Sequence, residues 1–211
     1  MTWYKRNQLE EAVIRTLGAI DARARDLKLK IKRLLLTDRR LGRSRRSDHG
    51  TNRYAFFGAK PQGTGTEVLF TGYEVFAVMA AIIVLEHGIP QAKVASILRE
   101  LRSDFEAAHR DTLQMDPKVL FDPQAVQKSG GLLVVDNTAP IFLAFVKLDI
   151  GKGRVHAFIS VCRGLDELGK FLKEHSILGS GATHFEFARL IHTLAANLSQ
   201  THPVKRGRST V

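Results

Sequence analysis

DARARDLKLKIKRLLLTDRRLGRSRRSDHGTNRY, Asp21–Tyr54, concentrates the positive charge of a 211-residue chain whose formal net charge is +11. Residues 1–60 hold sixteen Lys and Arg against six Asp and Glu, whereas residues 61–211 hold sixteen against fifteen, so the excess belongs to the N-terminal quarter. On a helical wheel, Leu27, Ile31, Leu34 and Leu35 form an apolar stripe, with Arg25, Lys28, Lys32 and Arg39 as a basic stripe beside it. Such a helix has one side for a core and one for a polyanion. The loop expected after it carries Arg39, Arg40, Arg43, Arg45, Arg46 and Arg53, answered locally only by Asp48. Crowded charges of one sign repel unless a counter-charged partner is present, and the planar fork of Arg suits phosphate oxygens or a guanine edge. Lys and Arg also serve as ordinary solvated helix formers. Their segregation into one quarter of the chain is what favours nucleic acid. An anionic membrane is disfavoured, because the segment lacks the Trp and Phe anchors of interfacial helices.

Composition sets wider bounds. A chain that is 44% hydrophobic and 25% charged is an ordinary globular mixture. Its one cysteine, Cys162, excludes an internal disulfide and a cysteine-based metal cluster, and suits a reducing cytosol. The start, MTWYKRNQLEEAV, has polar and acidic residues where a signal peptide has an apolar run. No stretch reaches the roughly 18 apolar residues of a membrane span, and Val75–Leu85 reads as a buried helix. The expected location is cytoplasmic and nucleoid-associated.

Leu9, Val13 and Leu17 predict a first amphipathic helix over residues 5–17, ended by Gly18, with Asp21 placed to cap the basic helix. Two helices joined by a glycine turn are the outline of a helix-turn-helix. Tyr54–Phe57 and Thr66–Phe70 have strand composition and flank the glycine-rich residues 58–65, predicting a hairpin with Lys60 at its tip. Thr71 and Glu74 have capping-box spacing and open an apolar helix, VFAVMAAIIVLEH. Gly88 stops it, Pro90 starts the next, and Val94, Ile97, Leu98, Leu101, Phe105 and Ala108 predict one long helix from Gln91 toward Gln114.

This order of parts resembles the MerR-like winged helix-turn-helix proteins over residues 4–112: a basic second helix, a wing, a helix opening at FTGYEVF, a loop HGIP and the helix QAKVASILRELR. The chain departs from that family after the recognition helix, where an Arg/Ser-rich insertion, Gly42–Asn52, replaces an Arg-Tyr-Tyr-Glu type segment. The resemblance implies a homodimeric DNA-binding regulator, dimerised through the long helix.

Residues 116–131 read as a linker. Beyond it, Leu132–Val135, Ile141–Leu148 and Arg154–Cys162 predict strands, the last two joined by a hairpin loop at Asp149–Gly153. Leu165–His175 and Thr183–Leu198 predict helices, the second with Thr183 and Glu186 at capping-box spacing. The expected architecture is thus mainly α with small β elements, an α+β class. A winged helix-turn-helix with a long dimerisation helix fills residues 1–115, a small three-stranded α+β unit for dimerisation or effector sensing fills 132–200, and a basic disordered tail fills 201–211.

Signs of catalysis are weak. His184 and His192 lie eight positions apart, too far along one helix to converge on a metal. Asp136, Asn137 and Asp149 suit strand ends and turns, and Cys162 suits a core. There is no GxSxG, HExxH or P-loop motif. No enzyme activity, metal or cofactor is expected. The expectation is a sequence-specific duplex DNA-binding protein, a dimeric transcriptional regulator, using Arg25, Lys28, Lys32, Arg39, Arg40, Arg43, Arg45, Arg46, Arg53 and Lys60. Two alternatives stand beside it: an adaptor whose basic segment docks on an acidic protein, and an RNA-binding protein that stacks bases on Tyr54, Phe56 and Phe57.

Overall fold

The computed structural model describes residues 2–44, 54–58, 67–128, 136–149, 155–176 and 181–204, with the side chains of 43–44, 148–149 and 155–157 outside the description. The chain divides into two compact units, Met1–Arg102 with Thr193–Val211, and Ser103–His192.

In the first unit a short strand β1 (Tyr4–Lys5) leads into α1 (Arg6–Thr16) and α2 (Asp21–Ser44). Gly18 turns the chain between the helices at φ +59°, a conformation that costs glycine little. The carbonyl of Ile20 accepts the amides of Arg23 and Ala24, so α2 is seeded one residue before the expected cap, with Asp21 as an acid in its first turn. Leu27, Ile31 and Leu34 are fully buried, each worth about 1.5–3 kcal/mol of transfer free energy. The helix extends to Ser44, so Arg39, Arg40 and Arg43 belong to its last turns and not to a loop.

The hairpin expected from Tyr54–Phe57 and Thr66–Phe70 is corrected. Strand β2 (Leu69–Phe70) pairs antiparallel with β1, Tyr4 opposite Phe70 and Lys5 opposite Leu69. Residues 54–57 form no strand, because side chains take their main-chain groups. Asp38 accepts the amides of Ala55 at 3.1 Å and Phe56 at 2.9 Å. Arg102 donates to the carbonyls of Tyr54, Ala55 and Phe57 at 2.9, 3.2 and 2.9 Å. Buried ion pairs complete the clamp, Arg99 with Asp38 at 2.9 Å and Arg102 with Glu74 at 3.3 Å. The strap lies among the buried residues, so Tyr54, Phe56 and Phe57 do not offer faces to unpaired bases.

Helix α3 (Gly72–Glu86) starts at the expected capping box. The Glu74 amide donates to Thr71 Oγ1 at 3.2 Å and the Thr71 amide donates to Glu74 Oε2 at 2.8 Å. It is buried along nearly its whole length, as its all-round apolar sequence requires. The expected long helix is two: α4 (Gln91–Glu100) and α5 (Arg102–Gln114), parted at Leu101, between the two buried arginines.

In the second unit the linker is partly helical, with α6 (Pro117–Leu120) and α7 (Pro123–Lys128). Leu132–Val135, an expected strand, lies outside the described residues. Strands β3 (Ile141–Asp149) and β4 (Val155–Arg163) pair antiparallel with Asp149 opposite Val155, the hairpin that their apolar runs and the glycine-containing loop predict. The third strand is a correction: β5 (Gly181–Glu186) pairs with β3, Phe142 opposite Glu186, where a helix was expected from Thr183. The order is β4-β3-β5. Helix α8 (Gly164–His175) covers one face, packing Leu168 and Phe171 on Phe142, Ala144, Val146 and Cys162. Helix α9 (Ala188–Ser199) starts only after Glu186 accepts the Ala188 amide at 2.7 Å, and its residues from Thr193 onward belong to the first unit.

Candidate nucleic-acid interface

The basic side of α2 is built by helical phase. With Leu27, Ile31, Leu34 and Asp38 turned inward, Arg25, Lys28, Lys32, Arg33 and Arg40 are left exposed. The Gln91 side chain donates to the Arg33 carbonyl at 2.9 Å and to the Thr37 hydroxyl, so α4 braces the main chain of α2 along the flank that carries Arg33 and Thr37.

The cations of α2 fall into separate electrostatic groups. On one flank, Glu86 pairs with Lys30 at 3.1 Å and with Arg23 at 3.6 Å. Lys30 also meets Asp26 at 2.8 Å. The bonds to Asp26 and then to Glu86 hold the Lys30 ammonium above its ordinary pKa, against the opposing effect of burial. That flank is neutralised within the molecule. Among the described residues, no carboxylate lies within 4.0 Å of a nitrogen of Arg25, Lys28, Lys32, Arg33 or Arg40.

The sequence-predicted cations therefore separate. Arg25, Lys28, Lys32 and Arg40 share the exposed side of α2. Arg39 is half-buried, its guanidinium carbon 5.2 Å from the centre of the Phe57 ring, so it braces the strap. Arg43 lies in the last turn, its side chain outside the description, and Arg45, Arg46, Arg53 and Lys60 lie outside the described residues. Sequence reasoning passed over Arg33, and over Leu29 and Leu36, which are 52% and 43% exposed on the same side. Their wheel positions were the available signal: both fall beside Arg25 and Lys32, away from the Leu27 stripe.

The candidates for catalysis fall apart. His184 is on β5 and His192 on α9. Cys162 is buried, and burial pushes its thiol pKa up, away from the reactive thiolate. Burial also raises Glu74 and Glu186, each already committed to main-chain amides. Among the described residues, no three His, Cys, Asp or Glu side chains gather as metal ligands, and no helix is long and apolar enough to cross a membrane. No protein-family model, curated protein or solved structure matches this chain.

Proposed function

We propose that the chain binds duplex DNA through the exposed side of α2. The observation that carries this reading is the set of five cations, Arg25, Lys28, Lys32, Arg33 and Arg40, on one side of a 24-residue helix whose flank is neutralised and whose back is fixed in a core. A helix about 10–12 Å across fits a major groove about 12 Å wide. Cations on a rigid element also lose less freedom on meeting phosphate than cations on a mobile segment.

The test is a salt series of DNA affinity by fluorescence anisotropy. Five phosphate contacts give a slope of log K against log salt of about −4.5. Replacing Lys28 and Lys32 together by Ala brings the slope to about −2.7 and leaves the thermal melt unchanged, since both side chains are exposed. A flat salt response, or an affinity that ignores both substitutions, overturns the reading.

One observation favours a second reading. Leu29 and Leu36 are exposed among the cations, an arrangement that also suits an acidic amphipathic helix of a partner protein. Nuclease treatment separates the two, because a DNA complex dissolves and a protein complex persists.

A further inference from the structure

We infer that Leu29 and Leu36 read the 5-methyl groups of thymine in the major groove, which makes them specificity residues of a DNA interface; this rests on the duplex-binding reading above. A single exposed leucine needs no explanation. Two of them, 52% and 43% exposed, seven positions apart on the side that also carries Lys32, form a pattern. At about 100° per residue, Arg25, Leu29, Lys32 and Leu36 fall within one strip roughly 60° wide, flanked by Lys28 on one side and by Arg40 and Arg33 on the other at roughly 50–70° from its centre. A groove demands that layout: phosphates on both walls, base edges on the floor.

The floor selects the bases. A leucine side chain has no hydrogen-bonding group, and the one apolar feature on a major-groove base edge is the thymine methyl. Leu29 and Leu36 are separated by about 10.5 Å along the helix axis. Zinc-finger helices use contact positions spread over a similar length to meet three successive bases. The two methyls therefore lie within one three-base-pair window. Phosphate contacts alone would leave the leucines facing water and give no preference among sequences.

The experiment uses the full chain and duplexes it selects from a randomised pool. Each selected duplex is made twice, once with thymine and once with deoxyuridine, which lacks the methyl and keeps every hydrogen-bonding group. Wild-type protein should bind the deoxyuridine duplex about fourfold more weakly for each methyl no longer removed from water, about fifteenfold for two. Single replacements should confine the loss to two positions in one three-base-pair window. The double variant Leu29→Ala with Leu36→Ala should bind both duplexes equally, with an unchanged salt slope, since no cation is lost. Leu29→Gln with Leu36→Gln should do the same while keeping side-chain length. Equal wild-type affinity for the two duplexes overturns the inference, as does discrimination that survives both variants; in those cases salt-dependent binding leaves the duplex-binding reading standing. Absence of any duplex binding overturns both.

Discussion

Asp38 sits on the apolar stripe of a basic helix, and its carboxylate is fully buried. Burial of that charge is tolerable because Arg99 and the amides of Ala55 and Phe56 surround it. Asp38→Ala strands a buried guanidinium and two amides together, so it should cost about 3–5 kcal/mol, read as a fall in the urea midpoint of unfolding. A loss under about 1 kcal/mol would show that the strap finds other partners. His109 carries the opposite kind of liability. Burial, with the nearby His192 as a lesser cause, lowers its pKa to about 4 from an ordinary 6.5. Because the folded form resists the proton more than the unfolded chain does, the penalty is absent above pH 6.5 and grows as pH falls toward 4. It amounts to roughly 3 kcal/mol once the window is crossed. Unfolding midpoints measured across that range should drop for wild type and drop less for His109→Gln; parallel pH curves would remove His109 as the cause.

Between elements, Gly42 decides how closely α2 meets the strap. A Cβ built there would stand 2.6 Å from Tyr54 Cδ1 and 2.9 Å from Cζ. Tyr54 cannot swing aside freely, being buried edge-on against Phe57 with its carbonyl held by Arg102. Gly42→Ala should therefore destabilise by about 1–3 kcal/mol in equilibrium denaturation, despite the better helix propensity of Ala. Nothing around Gly42 in the sequence announces this contact, since Tyr54 is twelve positions away. The same distinction separates the elements that were legible from those that were not. The Thr71–Glu74 box and the hairpin of β3 and β4 are encoded by near neighbours, and they form as read. Thr183 and Glu186 have the same box spacing, yet Glu186 serves Ile141 and Ala188 while the segment pairs with β3. Tyr54–Phe57 has strand composition, but Asp38 and Arg102 take its main-chain groups. At the candidate interface Arg25, Lys28 and Lys32 are legible from charge and phase, whereas Arg39 turns onto Phe57 and Leu29 and Leu36 stay hidden, because a leucine in an amphipathic helix is credited to the core by default.

Across the whole chain, the first unit is discontinuous, and its last segment returns to its first helix. Gln8 donates to the carbonyl and the hydroxyl oxygen of Thr201, both at 3.2 Å, and Asn7 donates to the His202 carbonyl at 3.2 Å. Asn197 donates to Thr16 Oγ1 at 3.0 Å, and Leu194 and Leu198 are buried. The expected disordered tail from 201 is corrected at its start: Thr201 is 6% exposed, and its hydroxyl donates to the Leu198 carbonyl at 2.8 Å. A unit that carries the candidate interface near one end of the sequence thus depends on residues from the other. Leu198→Ala removes a buried side chain and should cost about 2–5 kcal/mol. The single tryptophan, Trp3, lies in this unit and reports on it by fluorescence during urea unfolding. Truncation after His192 deletes all these contacts, so it should unfold the Trp3 transition at lower urea than Leu198→Ala does. A Trp3 midpoint unmoved by both changes would show that α1 and the candidate DNA-binding helix behind it stand without the returning segment.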